Sequence, residues 1–141
     1  MADYDPENVF AKILRGEFPC HKVHEDDATL VIMDIMPRGD GHVLVIPKRP
    51  SRNILDIATG DLATLYATVQ RIARAAMRAF GADGITIQQF NESAGGQVVF
   101  HTHVHVIPRH EGVALKPHTG ERADDGLLAA QAEKLGSALA E

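Results

Sequence analysis

His101-Thr102-His103-Val104-His105-Val106-Ile107-Pro108 is the stretch on which the reading of this chain turns. Three histidines alternate with small or branched apolar residues. Along a β-strand successive side chains point to opposite faces. The alternation predicts a strand with His101, His103, His105 and Ile107 on one face and Thr102, Val104 and Val106 on the other. Thr, Val and Ile suit a pleated surface, and Pro108, which has no N–H to give, suits a strand end. The imidazoles would then stand about 6.6–6.8 Å apart along the strand. Three readings are open for such a ladder. It can be a plain polar outer face. It can hold a metal, although the outer two histidines would be about 13 Å apart and would need ligands from elsewhere. Or it can do nucleophilic and acid–base chemistry near neutral pH, where imidazole attacks or moves a proton with little tuning.

The flanking residues favour the third reading. Gly95-Gly96-Gln97-Val98-Val99-Phe100 leads straight into the histidines. Glycines permit turns whose backbone N–H groups face an anion, so the pair reads as a phosphate cradle as well as a hairpin turn. Asn91 and Gln97 offer amide groups beside it; an ordinary turn amide is the structural alternative for Asn91. Upstream, Asp34-Ile35-Met36-Pro37 and Gly41-His42-Val43-Leu44-Val45-Ile46-Pro47-Lys48 frame a turn between two apolar runs.

Together these stretches, with Asn91, resemble the histidine triad (HIT) family of nucleotide hydrolases and transferases, and most of all its Hint-like branch. The likeness covers Pro6 to Arg109 in the family's order. It implies a HIT-like fold: α+β, an antiparallel sheet of about five strands, a short N-terminal helix, one long helix and a C-terminal tail or helix. It also implies a two-fold homodimer whose sheets join. His103 matches the nucleophile that forms a nucleotidyl-histidine intermediate, and His105 the residue beside the phosphate and leaving group. His101 and His42 match relay or orienting partners. Asp34 matches the carboxylate that accepts both ribose hydroxyls, and Asn91, Gly96, Gln97 and Val98 match the phosphate side. Phe10, Ile13, Ile32, Ile35 and Leu44 match positions lining the base pocket; plain core is their alternative. Two departures stand out. Many zinc-bearing relatives carry Cys-x-x-Cys before the first helix, where this chain has Asn8 and Ala11, so zinc is not expected. A Ser or Thr that often follows the glutamine is here Val98.

The rest of the chain reads around this site. Asp5-Pro6 predicts a helix start carrying Val9, Phe10, Ile13 and Leu14, with Gly16 as its stop. His21 to Glu25 reads as a short edge strand, Ala28 to Ile35 as a strand buried on both faces and His42 to Pro47 as its partner. From Asp61 to Phe80 apolar residues recur at helical spacing, with Thr59 as a candidate cap and Gly81 at the far end. Its second stripe, Tyr66, Ala73 and Met77, leaves room for a partner subunit. Ile85 to Phe90 reads as a strand. Leu127 to Leu139 reads as a weak helix that Gly136 and its alanines leave little to bury, free to fray or to pack on a neighbouring subunit.

With 141 residues the chain fits a single domain, with a core over about 6–109 and an extension over 110–141. A net charge of −5 disfavours coating a nucleic acid. The single cysteine, Cys20, suits a reducing compartment, the acidic N-terminus lacks the pattern of a signal peptide, and no run is long enough to cross a membrane. These features lead us to expect a cytoplasmic protein. The resemblance implies a cofactor-free homodimer acting on a purine nucleotide, with hydrolysis of nucleoside phosphoramidates or related nucleotidyl conjugates as its reaction. The alternatives are a dinucleoside polyphosphate hydrolase, or a nucleotide-binding protein with weak catalysis.

Overall fold

A computed structural model describes residues 2–117 and 120–141. The elements run α1 (Val9–Leu14), β1 (Lys22–Glu25), β2 (Thr29–Met33), β3 (Val43–Pro47), α2 (Thr59–Phe80), β4 (Gly84–Gln88), β5 (Val104–Arg109) and α3 (Asp125–Leu139). The strands form one antiparallel sheet in the order β1-β2-β3-β5-β4. This is the α+β architecture expected. None of the helices is long and apolar enough to cross a membrane, among the described residues.

Alternation along β2, β3 and β5 divides the core. Val31, Met33, Val43, Val45, Val104 and Val106 turn to one face and pack against α2 through Leu65, Val69, Ile72 and Ala76. Leu30, Ile32, Leu44 and Ile46 turn to the other, where Phe10 of α1 covers them. Residues opposite one another across a ladder share a face. Ile32 pairs with Leu44, Leu44 with His105, and His105 with Gln88. One row across four strands thus passes from apolar side chains directly to a histidine.

Several boundaries differ from the sequence reading. Helix α1 starts after Asn8, whose side-chain oxygen accepts the Ala11 N–H at 2.9 Å. Asp5 instead accepts the N–H of Glu7, so it closes a turn ahead of the helix. Thr59 is the first residue of α2 rather than its cap, and Ala58 at the cap position makes no side-chain bond. Gly81 ends α2 in the left-handed conformation, as expected. The C-terminal helix does not fray: Leu128, Ala132, Leu135 and Ala138 belong to the main core. Gly136 is what lets it dock, because a Cβ there would sit 3.1 Å from the backbone oxygen of Val23 in β1.

The largest correction concerns the triad itself. Only His105 lies in a strand; His101, Thr102 and His103 precede β5 in an irregular approach. Thr102 gives its N–H to Ser51 O at 2.9 Å, and its hydroxyl lies 2.6 Å from that of Ser51. His101 Nε2 lies 2.8 Å from Pro47 O. Bonds to the segment leaving β3 replace the ladder there, so the three imidazoles form a cluster instead of an even row.

Candidate active site

The four expected histidines come together, and all are buried. Their partners assign the protons, because a carbonyl only accepts and a backbone N–H only donates. His101 Nε2 faces Pro47 O at 2.8 Å and therefore carries the proton. Its Nδ1 then accepts from the Tyr4 hydroxyl at 2.6 Å. His103 Nδ1 faces His101 O at 2.6 Å and carries the proton, which leaves the lone pair on Nε2. On the other side Arg38 N–H donates to His42 Nδ1 at 3.0 Å, so the neutral ring carries its proton on Nε2. That N–H donates to His105 Nδ1 at 2.9 Å, and His105 keeps its own proton on Nε2. The His103 and His105 rings stand 5.1 Å apart. A nucleophilic nitrogen and a proton donor thus stand side by side.

Burial sets the charge states. Desolvation pushes His103 down to about 4, against the opposing bond to His101 O. Desolvation lowers His101 too, against its bond to Pro47. Both rings are neutral at pH 7. Asp34 is raised by burial, and the Met36 N–H on its Oδ1 at 2.9 Å works against that. Its Oδ2 lies 3.4 Å from His42 Nε2 and 3.9 Å from His105 Nδ1. The carboxylate expected at a ribose therefore also closes the electrostatic end of the histidine pair.

Phe10, Ile32 and Leu44 gather in one apolar cluster, with Ile13 packed against it. The Phe10 ring meets His103 edge to face at 4.8 Å. This wall joins His103 to an apolar surface suited to a flat ring. Ile35 does not join it: it lies beyond the end of β2 and is 40% exposed.

The loop before the triad differs most from expectation. Gly95, Gly96 and Gln97 spend their backbone N–H groups on Glu92 O, Ser93 O and Glu92 O. The Gln97 side chain is spent as well. Its oxygen accepts from Asn53 and from the Glu92 N–H, and its nitrogen donates to Arg52 O and Val99 O. Gly96 and Gln97 therefore shape the loop. Among the described residues no acceptor takes the N–H of Val98 or Val99, and Val98 is 84% exposed. Those N–H groups, unlike the ones of Gly95, Gly96 and Gln97, are left without an acceptor among the described residues. Asn91 pairs amide to amide with Gln89 and accepts the Ile54 N–H, the framework role of a turn amide.

Residue-type patterns missed the supports. Tyr4 and Arg38 fix the histidine protons from outside any motif. Arg52 binds both oxygens of Glu92, and Asn53 binds one of them. Glu92 holds φ 64° and ψ 163°, a region essentially reserved for glycine, and its own clamp keeps it there.

The HIT domain family matches residues 15–112. The chain belongs to the histidine triad family. Among relatives of this histidine triad protein is the Arabidopsis thaliana protein named adenylylsulfatase HINT3, 43% identical over 103 residues. That match covers 73% of this chain and 52% of the plant protein, so the chain spans about half of its length. A crystal structure of a Hit-like protein from Bartonella henselae, described as involved in cell-cycle regulation and holding an unknown ligand, superimposes with a TM-score of 0.93. It is 47% identical, and the match covers 97% of this chain and 99% of that one. A zinc-bound histidine triad family protein from Mycobacterium smegmatis matches with a TM-score of 0.83 at 37% identity, covering 95% and 94% of the two chains. Family membership supports nucleotide binding and hydrolase or transferase chemistry.

Two places bring together residues where a metal could be sought in this fold. At the family's zinc position, Ala11 has no donor and the Asn8 side chain is engaged by Ala11 N–H, Tyr4 and Asp5 O. His101 there already meets Tyr4 and Pro47. That donor set does not fit zinc, which takes thiolate, imidazole or carboxylate. Asp34, His42 and His105 form a tighter group, with ligand atoms within 4.8 Å of one another. There the Arg38 N–H occupies His42 Nδ1, so His42 presents an N–H to the group instead of a lone pair. The trio fits a proton relay better than a cation.

Proposed function

We propose that this histidine triad protein hydrolyses purine nucleoside phosphoramidates or related nucleotidyl conjugates through a nucleotidyl intermediate on His103. One observation carries the reading. The partners of His103 leave its lone pair on Nε2, while those of His42 and His105 leave a proton on His105 Nε2, with the two rings 5.1 Å apart. His103 Nε2 attacks the α-phosphorus, and the P–N bond to the leaving amine breaks. The proton on His105 Nε2 passes to that amine nitrogen. The amine leaves, and a nucleotidyl group remains on His103. Water then attacks the same phosphorus, giving its proton back to His105 as the P–N bond to His103 breaks. The nucleoside monophosphate departs and both histidines are restored.

The other groups divide the binding. Asp34 takes the ribose hydroxyls, the wall of Phe10, Ile13, Ile32 and Leu44 takes the base, and the Val98 and Val99 N–H groups meet the phosphate. No step calls for a cofactor. The subunits pair through the outer edge of β4, where Ile87 is 46% exposed, and the α2 stripe of Tyr66 and Met77. The lone Cys20 is consistent with a reducing, cytoplasmic setting.

A nucleoside phosphosulfate is the second reading, favoured by the name of the Arabidopsis relative. The same nucleophile would expel sulfate, which needs no proton from His105. Parallel turnover of an adenosine phosphoramidate, adenylyl sulfate and a diadenosine polyphosphate tests the assignment. Preference for the phosphoramidate, abolished by His103→Ala, supports the proposal. Preference for either other substrate reassigns it, and binding without turnover of any removes the enzyme reading.

A further inference from the structure

We propose that Tyr4 is a positioning residue for the reaction, a latch that holds the first histidine of the triad by its outer nitrogen. The proposal rests on the reading above that His103 is the nucleophile. Tyr4 lies in the segment before α1, 97 residues from His101 along the chain, yet its hydroxyl reaches His101 Nδ1 at 2.6 Å. The two rings meet edge to face with centroids 5.6 Å apart. The hydroxyl is itself held, because Asn8 Nδ2 donates to it at 2.9 Å. Asn8 is fixed in turn as the cap of α1, accepting the Ala11 N–H, and by a second bond to Asp5 O at 2.8 Å.

The directions of these bonds agree with one another. Asn8 N–H donates to the Tyr4 oxygen, and the Tyr4 O–H donates to His101 Nδ1. On the far side His101 Nε2–H donates to Pro47 O. The His101 ring is thus held at both nitrogens, one by the N-terminal segment and one by the end of β3. Its backbone carbonyl is the group that accepts His103 Nδ1–H at 2.6 Å and so presents His103 Nε2 as the lone pair. A series of hydrogen bonds runs from the cap of α1 through Tyr4 and the His101 ring to Pro47 O, and such chains strengthen one another; it reaches His103 through the covalent frame of His101, whose carbonyl takes the next bond. His101 and its approach lie outside the β5 ladder. The peptide unit that carries this carbonyl is held on its N–H side by the Thr102 bond to Ser51 O, and the His101 ring is held by Pro47 and by Tyr4, which supplies the bond to Nδ1. Among the described residues the hydrogen bonds and ring contact of Tyr4 go to Asn8 and His101, not to groups assigned to the substrate, so its effect falls on turnover more than on binding.

Two variants and two readouts test this. Tyr4→Phe keeps the ring and removes only the hydroxyl. Asn8→Ser keeps a capping oxygen and removes the donor that holds Tyr4. The first readout is the ¹⁵N chemical shift of His101 Nδ1, which reports whether that nitrogen accepts a hydrogen bond and needs no substrate. In Tyr4→Phe it moves to the value of an unbonded imine nitrogen; in Asn8→Ser it moves part of the way. The second is steady-state kinetics with an adenosine phosphoramidate. For Tyr4→Phe kcat falls about five- to tenfold, the scale of one hydrogen bond, while KM stays within about twofold. An unmoved nitrogen signal, or a rise in KM at constant kcat, overturns the latch. If His103→Ala keeps its activity while the nitrogen signal still moves in Tyr4→Phe, the function assigned to His103 is wrong and the latch on His101 stands.

Discussion

His103 Nδ1 donates to the carbonyl oxygen of His101, two residues earlier in its own chain, at 2.6 Å. That bond leaves the lone pair of His103 on Nε2, the nitrogen that attacks in the proposed reaction. Its acceptor is a backbone carbonyl, so its direction does not depend on the substrate or on the protonation of another side chain. Its direction follows from the carbonyl, which has no proton to give.

Burial should keep His103 neutral well below the ordinary histidine range. An NMR titration of its imidazole is expected to give a midpoint near 4, the depressed value that desolvation imposes. A histidine with a depressed folded pKa binds its proton more readily in the unfolded chain. Its contribution is complete above about pH 6.5 and is lost as the pH falls from there through about 4. His101 is shifted in the same direction and adds to the effect. Denaturant titrations between pH 7.5 and about 4 should show stability falling by a few kcal/mol. A His103 midpoint near 6.5 would contradict the buried, neutral nucleophile.

Gly41 should resist replacement. It holds φ +79°, and a Cβ would lie 2.6–2.9 Å from atoms of the Phe80 ring. Its N–H also donates to Gln131 of α3, beside the Gln131–Asp40 bond. Gly41→Ala is expected to cost about 2–4 kcal/mol from left-handed strain and overpacking together. Calorimetry should show Tm lowered by roughly 5–15 °C. Because His42 follows directly, activity at a permissive temperature should fall as well. A Tm within about 2 °C of the parent would mean that Phe80 yields without cost.

Asp34→Asn should penalise ribonucleotide substrates more than their 2′-deoxy counterparts. A carboxylate accepts two hydroxyl hydrogen bonds, whereas an amide offers one accepting oxygen. The expected excess loss in kcat/KM is about tenfold, from about 1.5 kcal/mol for one bond to a charged group. Equal losses for both sugars would confine Asp34 to its place beside His42 and His105.

Zinc should not accompany the protein in stoichiometric amount. Asn8 and Ala11 supply no thiolate, and His101 is engaged by Tyr4 and Pro47. Elemental analysis after purification without chelators is expected to find well under one zinc per chain, and about one per chain would contradict the assignment.

What the sequence made legible was whatever short spacing encodes. The 22 residues of α2 repeat their apolar stripe often enough to define the helix, and β2 and β3 announce double burial by unbroken apolar runs. Alternation places His105 on the correct face of β5, because one residue of slip would turn it into the helical core, while His42, expected as the first residue of its strand, lies one residue ahead of β3. The same alternation misled at His101 and His103, where bonds to Pro47 and Ser51 replace the ladder. Helix α3 was undervalued because Gly136 looks like a breaker until β1 is seen against it. Gln97 looked like a ligand because its type suits phosphate, but its amide holds together residues 44 and 45 positions away. Tyr4 and Glu92 carry no local signature, since their meaning lies in partners distant in sequence.

The proposed mechanism requires the nucleotide to pass through His103. Rapid quench of the protein with α-phosphorus-labelled adenosine phosphoramidate, followed by peptide mapping, tests it most directly. Label is expected on the peptide spanning His101–Arg109, at His103. His103→Ala should trap none and lose turnover by several orders of magnitude, while still folding and binding nucleotide. Label on any other residue, or near-normal turnover by His103→Ala, would contradict the mechanism.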